Sequence, residues 1–285
     1  MPRSAPVDGF SLEYDRRGDG PPVVLLHGWP GTRTDHRALV PLLEGLDVVV
    51  PDLRGFGESD KHVADPAEQY SAAGQARSVA GLLRELELDG AIVAGYDVGS
   101  RVAQALARTE TDLVRGLVLA PPLPGIGRRI LTPDAMREFW YQPFHRLDLA
   151  ERLIDGDADA VRAYLRHFWE HWSGPGLMVT DADLDALVEH YAKPGAFVAS
   201  INWYRAGSGG VAMSLAEQTP APEDRIRQPT RVLWPEHDPL FPREWADRLG
   251  DFLADFTLTD MPGTGHFSPL EAPGAFAGAV RALAG

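Results

Sequence analysis

The 285 residues, 44% hydrophobic and 24% charged, suffice for one globular unit with a sizeable core and room for an inserted subdomain. A formal net charge of −14 argues against nucleic-acid binding, which needs clustered cations facing phosphates, and the absence of cysteine excludes disulfides, thiolate metal sites and cysteine nucleophiles. No run reaches the roughly 18 to 20 apolar residues of a membrane helix, and the opening MPRSAPVDGF lacks the apolar segment of a secretion signal, so a cytoplasmic protein without membrane attachment is expected.

In chain order, the segments PPVVLLH (21–27), DVVVPD (47–52), AIVAGYD (91–97), RGLVLAPP (115–122) and TRVLWPEHD (230–238) lack polar alternation and end in turn signals. Such runs suit strands buried on both faces of a parallel sheet. Helical spacing of apolar residues marks AAGQARSVAGLLREL (72–86) and REWADRLGDFLAD (243–255), which predicts an α/β fold with a mostly parallel sheet flanked by helices. Between 123 and 222 aromatics cluster in FWYQPFHRL, RAYLRHFWEHW and SINWYRA, buried-strand runs are missing, and proline-rich stretches mark both edges. The expected organisation is a core over 1–122 and 223–285 carrying an inserted helical cap over 123–222.

Five segments carry the chemistry. LLHGWPGT (25–32) sets His27, Gly28, Trp29 and Pro30 in a turn after the first strong strand, and PDLRGFGESDK (51–61) forms a second glycine-rich loop. Gly95-Tyr96-Asp97-Val98-Gly99 fits a strand, sharp turn and helix in which flanking glycines relieve crowding around a strained central residue. Asp97 there reads either as a nucleophile or as the N-cap of the helix beginning near Val98. LWPEHDPLF then presents Asp238 at a strand end, and MPGTGHFSPLEAP presents His266 on a loop after a strand-like segment.

The elbow, the His-Gly-X-Pro turn and the order nucleophile, acid, histidine together resemble the α/β-hydrolase superfamily across essentially the whole core. The resemblance implies that the backbone N–H groups of Trp29 and Val98 form an oxyanion hole, that His266 is the base and that Asp238 orients it. His27 would brace the oxyanion turn, and Asp52 and Arg54 would serve loop geometry. VLAPPLPG contains no carboxylate, which favours Asp238 as the acid. An aspartate nucleophile is already ionised near neutral pH and can attack saturated carbon, forming an alkyl ester that water then cleaves. Epoxides and alkyl halides become the main substrate candidates.

SINWYRA is similar to the cap motif of epoxide hydrolases, and the resemblance implies that Tyr204 donates to the epoxide oxygen. EFWYQPFHRLDLAE resembles the segment of the second donor, which implies Tyr141 with Gln142 beside it; His145 and His167 are the alternatives. Trp29, Trp140, Gln142 and Phe267 are expected to line the substrate. The resulting expectation is an epoxide hydrolase acting on a small-molecule epoxide and water, without cofactor or metal. A haloacid or haloalkane dehalogenase is the competing enzyme. Haloalkane dehalogenases place tryptophan where Val98 stands, whereas fluoroacetate dehalogenases carry Asp-Arg-Gly-X-Arg, whose second arginine is matched by Arg101 and whose first is replaced by Val98. A ligand-binding protein on a hydrolase scaffold is the non-enzymatic alternative, and the oligomeric state, a homodimer included, is left open.

Overall fold

In the computed structural model, residues 2–285 are described. Seven strands form one sheet in the order β1-β3-β2-β4-β5-β6-β7. They are β1 Tyr14–Arg17, β2 Pro22–Leu26, β3 Asp47–Pro51, β4 Ala91–Gly95, β5 Val114–Leu119, β6 Thr230–Pro235 and β7 Phe256–Met261. β1 runs antiparallel to β3, and the other pairs are parallel. β3 and β4 are buried at every position, as their unbroken apolar runs require of strands covered on both faces.

The helices are α1 Pro66–Gln69 and α2 Ala72–Glu85 after β3, and α3 Asp97–Thr109 after β4. Between β5 and β6 stand α4 Pro133–Glu138, α5 Tyr141–His145, α6 Asp148–Ile154, α7 Ala158–Trp172, α8 Asp181–Tyr191, α9 Ala196–Arg205 and α10 Gly210–Ala216, with no strand among the described residues. After β7 come α11 Ser268–Glu271 and α12 Pro273–Ala284. The described residues include no helix long and apolar enough to cross a membrane.

Two local expectations are corrected. Residues 243–255 do not form an α-helix: Arg243–Asp251 is a 3-10 helix. Its threefold repeat stacks Ala246 and Leu249 on the buried side, a spacing that an α-helical reading also accepts. β1 has no counterpart among the predicted strands because three of its four residues are exposed on the sheet edge.

The connections after β2, β4, β6 and β7 all emerge at the carboxyl edge of the parallel strands, where open α/β sheets bind ligands. Those connections carry Trp29, Asp97, Asp238 and His266.

Candidate active site

Asp97 is the first residue of α3 and has φ +47°, a left-handed backbone that costs a non-glycine residue on the order of 1–3 kcal/mol. Close packing holds it there. A Cβ on Gly95 would come 2.5 Å from the Gly99 carbonyl carbon, and one on Gly99 would overlap the Leu26 carbonyl. The Asp97 N–H donates to Pro121 O at 2.9 Å, and Gly99 N–H donates to His27 O at 2.9 Å. The N-cap of α3 is Tyr96, with no side-chain cap. The Asp97 carboxylate therefore does not cap its own helix. Its Oδ1 instead accepts from the Trp29 N–H at 2.6 Å, across 68 residues of sequence. Val98 follows in the first turn of α3, where backbone N–H groups have no intrahelical acceptor. Its side chain is buried and contributes no polar group.

The turn bearing Trp29 is clamped from both sides. Below it, both nitrogens of buried His27 are occupied, Nδ1 at 2.9 Å from Gly28 O and Nε2 accepting from Leu53 N–H at 3.0 Å. Burial lowers the pKa of this ring, so it serves as a neutral brace. Above it, the Trp169 indole donates to Pro30 O at 3.0 Å, and the Tyr191 hydroxyl donates to Gly31 O at 2.9 Å. The Trp29 indole itself donates to Ser200 Oγ at 3.3 Å. Asp52 and Arg54 are likewise committed to loop geometry: Asp52 accepts from the Arg33 and Glu58 N–H groups, and Arg54 donates to Ser78 and Gln69.

His266 Nδ1 lies 2.9 Å from Asp238 Oδ2, and its Nε2 lies 3.5 Å from Asp97 Oδ2 without a hydrogen-bond partner. Asp238 Oδ1 accepts from the Leu240 N–H at 2.9 Å, which holds the carboxylate in plane for the imidazole. Burial disfavours the His266 cation, but Asp238 and Asp97 outweigh it and raise the pKa from 6.5 to about 10. Because the folded-state pKa is the higher one, this stabilisation is complete below about pH 6.5 and is lost as pH rises through about 10. The melting-temperature gap between wild type and His266→Gln is therefore expected to shrink across that window. A gap that stays constant in thermal melts from pH 6.5 to 10 would contradict the pairing.

A narrow cavity of about 10 Å³ opens in front of Asp97, and Val98, Arg101, Tyr141, Gln142, Tyr204 and Phe241 contribute to its wall. Tyr141 and Tyr204 meet edge to face with ring centroids 5.5 Å apart, and their phenols interact. Burial, reinforced by neighbouring negative charge, pushes both phenols well above 10, so they stay protonated donors. Trp29 stacks on Tyr141 with centroids 5.7 Å apart and rings 5° from parallel. Gln142 spends both ends of its amide locally: Nε2 donates to the Tyr141 hydroxyl at 3.1 Å, and Oε1 accepts from the Val211 N–H at 3.0 Å.

Two expected substrate contacts lie elsewhere. Trp140 precedes α5, is 41% exposed and faces an outer groove beside Phe144 and Tyr164, stacked on Phe168. Phe267 is fully buried behind the histidine, its ring 5.6 Å from His266 and 4.9 Å from Trp169. The alternative donors do not line the cavity either, although the His145 ring packs behind its tyrosines, 4.7 Å from Tyr204 and 5.5 Å from Tyr141. Buried His145 bonds the Tyr164 hydroxyl at 2.9 Å, and His167 packs by Trp140.

Two positioning carboxylates were not anticipated from sequence. Glu271 gathers the N–H groups of Gly174, Gly265 and Phe267 at 2.7 to 3.0 Å, which fixes the loop on either side of His266. Asp35 accepts from the Tyr96 hydroxyl at 2.6 Å and so ties the residue before the nucleophile to the oxyanion loop. Burial raises its pKa to about 7 against the opposing pull of that bond. Neither role is readable from spacing, because each partner set exists only once the loops have converged.

The alpha/beta hydrolase fold family matches residues 21–273. The chain is 32% identical to the soluble epoxide hydrolase of Corynebacterium sp. (strain C12), covering 94% of this chain and 92% of that protein. It is 28% identical to a haloalkane dehalogenase of Bradyrhizobium diazoefficiens, covering 85% and 67% respectively. The solved structure of the epoxide hydrolase CorEH superposes with a TM-score of 0.82 at 26% identity, covering 96% of this chain and 94% of that one.

Proposed function

The chain belongs to the alpha/beta hydrolase fold family, and from that premise we propose that it hydrolyses epoxides to vicinal diols through a covalent ester on Asp97. Kinship with both epoxide hydrolases and haloalkane dehalogenases supports hydrolase activity. The observation that carries the finer reading is the meeting of two protonated phenols, Tyr141 and Tyr204, with Asp97 around one cavity. An epoxide oxygen leaves as an alkoxide and needs donors of this kind.

Because Oδ1 of Asp97 already rests on the Trp29 N–H, Oδ2 is the free nucleophile. It attacks a ring carbon, the carbon–oxygen bond breaks, and a phenol proton passes to the departing oxygen. The ester no longer carries the Asp97 charge, so one of the two carboxylates that hold the His266 proton is gone and its pKa falls. His266 then releases that proton, which restores the phenol through solvent, and its Nε2 takes a proton from water as the water attacks the ester carbonyl. Negative charge develops on Oδ1, where the Trp29 and Val98 N–H groups receive it. Collapse expels the diol oxygen, which takes the proton back from His266, and Asp97 is regenerated. The helical segment over 123–222 acts as the cap that supplies the phenols and shields the ester.

The test is a panel scoring diol from epoxides against halide from haloacids and haloalkanes. Diol formation is expected; halide release without diol would replace this reading by the dehalogenase one. Tyr204→Phe is expected to slow ester formation on the order of 10²-fold while leaving ester hydrolysis nearly unaffected. Equal slowing of both steps in rapid-quench measurements would make Tyr204 a structural residue instead.

A further inference from the structure

The cavity before Asp97 is only about 10 Å³, room for about one water and far below the roughly 300–1,000 Å³ usual for drug-sized ligands. On the far side of Gln142 and Tyr204 lies a second, more open recess of about 370 Å³. Met136, Val211, Ala212 and Leu215 give it an apolar surface, and Leu215 is 45% exposed there. Gln142 and Tyr204 are common to both walls. The apolar groove at Trp140 and Phe144 shares no residue with the cavity, and the recess beside Arg101 holds Arg108 and Glu217, unsuited to hydrocarbon.

We propose that the outer recess binds an apolar chain of the substrate, so that the enzyme takes terminal epoxides with an unbranched hydrocarbon tail. The inference rests on the epoxide hydrolase reading. With the attacked carbon at Asp97 and the oxygen at the two phenols, the small inner cavity cannot hold a long substituent, and the Gln142–Tyr204 side is where an apolar recess adjoins it. The partition there is one layer of side chains thick, because Gln142 and Tyr204 face both spaces. A Cβ on Gly209 would sit 2.7 Å from Gln142 Oε1 and 2.8 Å from Tyr204 Cδ1, so only glycine closes the gap without a side chain. Gly207, with φ +75°, Gly209 and Gly210 supply the hinge for α10, whose first turn has no side-chain cap. Ser208 anchors the base of this turn, its N–H donating to Trp203 O and its Oγ accepting from the Ala72 N–H, and beyond it the Val211 N–H bonds Gln142. Parting the Val211 N–H from Gln142, with the Ser208 anchors kept, joins the two spaces while Gln142 keeps its bond to Tyr141.

The experiment is kcat/KM for 1,2-epoxyalkanes from epoxypropane to epoxydecane, with wild type, Leu215→Asp and Ala212→Asp, alongside aryl epoxides. For wild type, kcat/KM is expected to climb by up to roughly fourfold per methylene until the recess is filled, following the burial of each CH₂. In the two variants the slope is expected to fall to half or less, a readout independent of the overall activity level. A slope unchanged in both variants, or no slope in wild type while aryl epoxides are hydrolysed, would overturn the tail site and leave the epoxide hydrolase reading standing. Failure to hydrolyse any epoxide would overturn that reading and the tail site with it.

Discussion

Asp97→Asn is expected to lower kcat/KM on the order of 10⁴-fold or more, because the amide keeps the shape of the side chain and discards its nucleophilic charge. The substitution is chosen for the backbone. Asparagine tolerates the left-handed region better than most residues, so the φ of +47° at this position remains accessible. Its side-chain oxygen can still accept from the Trp29 N–H. Thermal melting near the wild-type temperature, measured on the same preparation, is expected alongside the lost activity. Wild-type turnover by this variant would remove Asp97 from the reaction and return it to a purely structural place at the elbow.

His266→Gln is expected to separate the two half-reactions. Ring opening needs Asp97 and the phenols, whereas ester cleavage needs a base at the position where His266 Nε2 now stands 3.5 Å from Asp97 Oδ2. The variant should consume about one equivalent of epoxide rapidly and then stall, with steady-state kcat lower by roughly 10²–10⁴-fold. Intact-protein mass spectrometry should show the mass of one substrate added to the chain. If the variant instead slows epoxide consumption in the first turnover as much as in the steady state, the histidine acts before the ester and the assignment of steps is wrong.

Much of this site is legible before any fold is drawn, for a physical reason. β2, β3, β4, β5 and β6 are buried along most of their length, so each carries an apolar run, interrupted only near its start by Arg115 in β5 and Arg231 in β6, and the residues at their ends stand out against it. Asp97, Asp238 and His266 all fall just beyond such runs or beyond β7. β1 is hidden because an exposed edge strand shows no such run. The choice between cap and nucleophile at Asp97 could not be made locally, since the deciding contact comes from Trp29. Gln142 illustrates the same limit. Its neighbour Tyr141 marked the segment, but the bond to Val211 depends on α10 folding over α5, which no local pattern encodes. Trp140 and Tyr141 are adjacent in sequence yet face opposite environments, one an outer groove and the other the cavity. Aromatic composition alone does not tell them apart.

In the covalent mechanism the diol receives one oxygen from Asp97, and water replaces it in the carboxylate. A single turnover with enzyme in excess, run in H₂¹⁸O, tests it most directly. Unlabelled diol and ¹⁸O in the peptide containing Asp97 are expected. Label entering the diol in that first turnover, with Asp97 unlabelled, would mean that water attacks the epoxide directly and would contradict the covalent ester.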